Sequence, residues 1–243
     1  EMTAEIRFDQ TPFAEGGFKL VFRARVIKGT YEGFPVGTEC VVKFIKPELR
    51  RQGIRLSEKD IEMQDEAKRL VDLWMSTVGP TENGHSCHAH MRVARLSHLN
   101  GGRMCGTHRM SDGEAFIVER MINGEFEKFN SNSGWSCGNA WIPDALSHWS
   151  WVQTEGSMLL CDLQGHRGRP GGPSGSETYY MFTDPAIMTP RGRFGSTDLG
   201  QEGIETFFAY HKCNDLCMSL GLVGNIPAQR AHLARRRGSA WRQ

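Results

Sequence analysis

The chain has 243 residues, enough to bury a substantial core in one large domain or two close-packed lobes. Lysine and arginine number 29 against 28 acidic residues, and a net charge of +1 argues against a nucleic-acid binder or a membrane-surface protein. No run approaches about eighteen uninterrupted apolar residues, so no transmembrane helix is expected.

The N-terminal EMTAEIRFDQ lacks the basic-then-apolar order of a signal peptide. Because it starts at Glu1, the chain reads as a piece of a longer protein. The seven cysteines are odd in number and irregularly spaced, and a chain this long needs no disulfide staples. A reducing, cytoplasmic setting is therefore expected, with thiols free for burial or metal binding.

Residues 17–27, GFKLVFRARVI, alternate apolar and polar side chains as a half-buried strand does. The glycine turn of FAEGG precedes it, and KGTYEGFPVGT predicts another turn after it. Residues 39–46, ECVVKFIK, predict a second strand with Lys43 in its middle, ended by Pro47. The period then changes, and residues 57–77 predict a helix with Ile61, Leu70, Leu73 and Trp74 among its apolar positions and Ser57 and Asp60 in its first turn. HSCHAH at 85–90 reads as a polar, turn-like connection. MRVARL (91–96) and AFIVE (115–119) are short strand candidates separated by LNGGRMCG.

Beyond Arg120, MINGEFEKFNSNSGWSCGN is turn-rich and suits a lobe junction. SMLLCDLQG is an apolar run ending in an acid and an amide. Residues 165–178 have no periodicity and predict a mobile loop. YYMFTDP is a further strand candidate, and residues 203–220 read as one helix. The basic tail, AQRAHLARRRGSAWRQ, is expected to be partly ordered and chiefly solvating.

HKCNDLC at 211–217 holds a histidine and two cysteines in seven positions. On a helix Cys213 and Cys217 face the same way, and His211 joins them most easily where the turn is irregular. Two thiolates and an imidazole suit tetrahedral zinc, with a fourth ligand from elsewhere; His148 in LSHWSW is preferred to the loop-borne His166. The alternative is two buried cysteines beside a partly exposed histidine. A site closed by four ligands would be structural, which disfavours a zinc hydrolase, since that needs an open position.

Asp162 and Gln164 stand two apart, and Asp184 follows in FTDPAI. Phosphoryl transfer needs a carboxylate to orient the attacking hydroxyl and hard oxygens for magnesium, which this acid–amide–acid set could supply; otherwise the two aspartates cap turns. Lys43, inside an apolar strand, either points into a cleft and meets a nucleotide phosphate or reaches water on an alternate face.

PFAEGGFK (12–19), VVKFIK (41–46), EKFNSNSGW (127–135), SHW (147–149), CDLQG (161–165), FTDPAI (182–187), FGSTDLGQEGIETFF (194–208) and HKCNDLC together resemble the catalytic domain of the alpha-kinases, a family of atypical protein kinases. The resemblance implies an α+β, two-lobed kinase-like fold: a strand-rich N-lobe over residues 1–120, a zinc-stabilised C-lobe over 121–228, a basic tail over 229–243, and ATP in the cleft. By the same resemblance Lys43 contacts phosphate, with Lys19, Asp60 and the hinge residues Glu119 and Met121 completing the nucleotide site. It assigns catalysis to Asp162, magnesium to Gln164 and Asp184, and zinc to His148, His211, Cys213 and Cys217. The expected activity is transfer of the ATP γ-phosphate to serine or threonine, with threonine preferred, of a protein substrate met near 194–203. The alternative is a catalytically weak nucleotide-binding or scaffold domain. Two departures stand out: Lys19 occupies a position where the family usually has arginine, and the 165–182 connection is long.

Overall fold

The structure, a computed structural model, describes residues 4–29, 31, 33–79, 81–82, 85–106, 108–139, 141–169 and 177–222. In chain order these form β1 (Ala4–Phe8), β2 (Ala14–Glu15), β3 (Lys19–Gly29), β4 (Glu39–Ile45), α1 (Pro47–Arg51), α2 (Glu58–Thr77), β5 (Thr81–Glu82), β6 (His85–Met91), β7 (Ala94–His98), β8 (Arg103–Cys105), β9 (His108–Met110) and β10 (Ala115–Arg120). There follow β11 (Glu127–Lys128), α3 (Trp141–Gln153), β12 (Leu159–Cys161), β13 (Gln164–Gly168), β14 (Glu177–Thr183), β15 (Ala186–Met188), α4 (Gly200–Tyr210) and α5 (Asp215–Ser219). The fold is mixed α+β.

Two compact units divide the chain: the residues up to Asp65 with Arg92–Asn123, and Glu66–Met91 with the residues from Gly124 onward. The sequence places one boundary near residue 120. Glu66–Met91 instead goes with the later residues, because β6 runs parallel to β14 and hydrogen-bonds to it from Ser86–Glu177 to Met91–Phe182.

The first unit is built on a sheet ordered β1-β3-β4-β10-β7, with β2 paired to β3. Its central strand β4 is covered on both faces, which explains why ECVVKFI reads as an almost unbroken apolar run. Cys40, Val42 and Phe44 pack with Leu20, Phe22, Phe116 and Val118 on one side. On the other, Ile45 and Ile117 meet Leu56, Ala94 and Ile61.

The second unit joins a sheet ordered β11-β13-β14-β6-β5 to the two-stranded ribbon β12-β15. Phe129, Tyr180 and Phe182 form an aromatic group beneath the sheet, and Trp74 meets Trp149 edge-on at 5.2 Å. The ribbon buries Leu159, Cys161, Ala186 and Met188 against Ile204, Phe207 and Phe208 of α4.

Three expectations are corrected. HSCHAH lies in strand β6, with Cys87 and Ala89 buried and His88 and His90 exposed; its alternation, not its polarity, was the signal. The start of the predicted loop at 165–178 is strand β13, which two neighbours stabilise where local periodicity could not, while 170–176 lie outside the described residues. Residues 203–220 are two helices interrupted at 211–214, because Asn214 caps α5 by accepting the Cys217 N–H at 3.0 Å. The basic tail lies outside the described residues, and no described helix is long and apolar enough to cross a membrane.

Candidate functional site

In the first unit, direct register pairs Lys19 with Ile45 and Val21 with Lys43, so Lys19, Lys43 and Ile45 share one sheet face. Lys43 does not extend into bulk water: its side chain is buried within the sheet of the first unit. Its ammonium lies 2.9 Å from Glu119 Oε2, and both side chains are buried. An unpaired ammonium there would carry a large desolvation penalty, which the carboxylate offsets. Asp60 accepts the Ser57 backbone N–H at 2.8 Å, reaching back over the start of α2 as a capping box does. Met121 donates its N–H to the Glu39 carbonyl, and its own carbonyl accepts from Arg92.

In the second unit, Cys161 of β12 pairs with Ala186 of β15, and Gln164 of β13 pairs with Thr183 of β14. Asp162, Gln164 and Asp184 therefore meet at the junction between ribbon and sheet. Gln164 Nε2 donates to the Asp184 carbonyl at 3.2 Å, which directs the amide oxygen the other way. Asp162 and Asp184 both adopt left-handed backbone, with φ of 56° and 47°. Such residues are uncommon outside glycine, aspartate tolerates them best, and they concentrate where a site over-determines its backbone. Gly165 takes φ of +144°, and a Cβ there would stand 2.0 Å from the Met181 carbonyl oxygen, so only glycine fits between Gln164 and its partner strand.

Two residues of EKFNSNSGW complete this junction without having been singled out by sequence reasoning. Lys128, opposite Gln164 in the β11–β13 ladder, places its ammonium 2.8 Å from Asp162 Oδ1. Asn130, fully buried, accepts the Leu163 N–H at 3.0 Å and donates to Ser147 Oγ at 3.0 Å. It thereby ties the backbone between Asp162 and Gln164 to α3. The available signal was the pair of polar residues on either side of the buried Phe129, at and just after the end of β11.

Among the described residues, His148, His211, Cys213 and Cys217 have donor atoms within 4.8 Å of one another. Cys213 Sγ lies 3.6 Å from His148 Nδ1, and Cys217 Sγ lies 3.7 Å from His211 Nε2. Metal–ligand lengths of about 2.3 Å to sulfur and about 2.05 Å to nitrogen, opened to a tetrahedral angle, give an edge of about 3.6 Å. The donor set therefore fits zinc in both chemistry and spacing. Burial pushes the Cys217 thiol up to about 12, so a cation is needed to hold it as thiolate. His211 stacks on Phe207 at 5.3 Å, and His148 meets Phe208 edge-on at 5.2 Å, so α4 fixes both rings. His166 takes no part: its Nδ1 bonds the Glu125 carbonyl at 2.8 Å.

The glycine-rich segment after β15 is organised by Asp198. Its carboxylate accepts from Thr189 N (2.9 Å), Thr189 Oγ1 (2.7 Å), Phe194 N (3.1 Å) and Gly200 N (3.0 Å).

The model of the alpha-kinase family matches residues 14–217. The alpha-protein kinase vwkA of Dictyostelium discoideum is 42% identical over 111 residues, 44% of this chain and 16% of that protein. Myosin heavy chain kinase A of the same organism is 25% identical over 243 residues, covering 91% of this chain and 20% of its own length. Eukaryotic elongation factor 2 kinase of Mus musculus is 26% identical over 224 residues, 90% of this chain and 27% of that protein. The chain thus spans less than a third of each of these relatives. Among solved structures, the alpha-kinase domain of myosin-II heavy chain kinase A in complex with AMP-PNP superposes with a TM-score of 0.74 at 24% identity, covering 93% of this chain and 90% of that one. Matched by the family model across both of its units, the chain belongs to the alpha-kinase family.

Proposed function

We propose that this chain is the catalytic domain of a protein serine/threonine kinase that transfers the γ-phosphate of ATP to a protein hydroxyl. The observation that carries the reading is the convergence of Asp162, Gln164, Asp184 and Lys128 where ribbon meets sheet. Asp162 orients the acceptor hydroxyl and takes its proton as the oxygen bonds to phosphorus and the bond to ADP breaks. Lys128, already beside Asp162, supplies positive charge where the transferring group gathers negative charge. Gln164 Oε1 and the Asp184 carboxylate are the hard oxygens that would hold magnesium, which when bound neutralises phosphate charge.

In the first unit, Lys43 is assigned to phosphate, with its ammonium held in place by Glu119. Lys19, Asp60 and Met121 are assigned to the rest of the nucleotide site. Lysine at position 19 keeps the charge of the family's usual arginine but loses its planar fork. His148, His211, Cys213 and Cys217 would hold zinc in a closed site, joining α3 to the break between α4 and α5. The segment at 194–203, braced by Asp198, is assigned to the protein substrate, with threonine as the preferred acceptor and the cytoplasm as the setting.

Transfer of labelled phosphate from ATP to a panel of serine and threonine peptides tests the reading. Asp162→Asn should keep ATP binding and lose turnover by about 10²-fold or more, as expected for loss of a group acting in the transition state. Wild-type turnover in folded Asp162→Asn would remove Asp162 from the mechanism.

A further inference from the structure

The first unit contains a charged cavity of about 1030 Å³ that none of the proposed nucleotide contacts lines. Four arginines, Arg50, Arg51, Arg55 and Arg109, face three carboxylates around it, and Ser111 stands among them. Two of those carboxylates are already engaged. Glu114 pairs with Arg50, and Asp112 accepts the Gly101 N–H at 2.7 Å. Arg51 and Arg109 are exposed, and Arg55 uses one guanidinium nitrogen on the Arg50 and Ile54 carbonyls.

The position of Ser111 relative to these cations follows from shared hydrogen bonds. Glu114 Oε2 accepts both from Arg50 Nη1 and from the Ser111 backbone N–H, the latter at 2.8 Å. Arg50 Nη2 in turn donates to the Arg109 carbonyl at 2.9 Å. Ser111 therefore lies within two hydrogen-bond lengths of the Arg50 guanidinium. It is exposed, in the tight turn between β9 and β10 that Gly113 closes with φ of +70°. A phosphate here would add a charge of about −1.5 to −2 and three acceptor oxygens beside several guanidinium forks.

We propose that this cavity is a phosphate receptor and that its ligand is a phosphorylated Ser111. Formation of the phosphoserine is ordinary transfer from ATP: Ser111 Oγ bonds to the γ-phosphorus, the bond to the ADP oxygen breaks, and the hydroxyl proton passes to the modifying kinase's base. Any protein kinase can supply that step, so the proposal stands or falls apart from this chain's own activity. Once formed, the phosphate bridges the β9–β10 turn to Arg51 and Arg55, on and just after α1, while Arg50 keeps Glu114. The segment that follows β4 is thereby fastened to the turn that leads into β10, at the same end of the sheet.

The test installs phosphoserine at position 111 of the whole chain by codon suppression and follows its ³¹P resonance against pH. The second phosphate ionisation should fall about one unit below that of the same phosphoserine in an isolated RMSDGE peptide, because adjacent cations favour the dianion. The melting midpoint should rise by about 3 °C over the unmodified chain. Both effects should vanish in the Arg51→Ala/Arg55→Ala chain, whose exposed positions leave the fold intact. A phosphate that titrates as in the peptide, with no change in melting, overturns the proposal. A parallel titration of inorganic phosphate into Ser111→Ala identifies the other source: saturable binding there, with no engagement by the installed phosphoserine, assigns the cavity to an anion from another molecule and rejects Ser111.

Discussion

Lys43 and Glu119 meet at 2.9 Å within the sheet of the first unit, their side chains 3% and 2% exposed. Neither can lose its partner without leaving a buried charge. Lys43→Met or Glu119→Leu alone should destabilise the chain by about 3 kcal/mol or more, whereas the double substitution should recover much of that loss. Urea unfolding of the four chains in a double-mutant cycle gives the coupling directly, and additive losses would show that the pair is not mutually dependent.

Zinc binding should be inseparable from folding of the region between α3 and α5. Cys213→Ser or Cys217→Ser should lower the yield of folded protein, and a strong chelator should lower the melting temperature of the wild type. Metal analysis of protein purified without chelator should return one zinc per chain. Folded, active protein with no bound metal would falsify the assignment of His148, His211, Cys213 and Cys217.

Gln164→Ala and Asp184→Ala should each raise the magnesium concentration needed for turnover, or abolish it, by removing one of two protein oxygens. Rates measured across a magnesium series at fixed ATP separate this from loss of nucleotide binding. Unchanged magnesium dependence in both variants contradicts the proposed ligand pair.

Asn130 reaches Asp162 through the backbone. Asn130→Ala removes the acceptor for the buried Leu163 N–H and should cost about 1–3 kcal/mol of stability. Turnover should fall as well, with less effect on the KM for ATP, since Asp162 and Gln164 flank the freed peptide. A loss of stability with full turnover would make Asn130 purely a packing residue.

Asp198→Ala should loosen the segment from Thr189 to Gly200, whose backbone N–H groups it gathers. Hydrogen exchange should rise at residues 189, 194 and 200 before other parts of the second unit respond. Equal protection in the variant and the wild type would mean that neighbouring packing, not the carboxylate, holds the segment.

Local patterns determined much of this. The alternation of GFKLVFRARVI, the apolar run of ECVVKFIK and the period of residues 57–77 each specify an element, because one buried face imposes its own spacing on the chain. DLQG, FTDPAI and HKCNDLC also hold side chains that the second unit brings together, although residue chemistry by itself left turn-capping aspartates and buried thiols as equal readings. Strand β13 was hidden, since its glycines and charges form a strand only when β11 and β14 supply partners on both sides. The break at Asn214 was legible in principle as a cap, yet the continuing apolar pattern of α4 and α5 masked it. Only the tertiary structure decided where Lys43 points, because one lysine in an apolar strand fits water, phosphate or carboxylate equally well until Glu119, far away in sequence, is brought beside it by the register of β4 and β10.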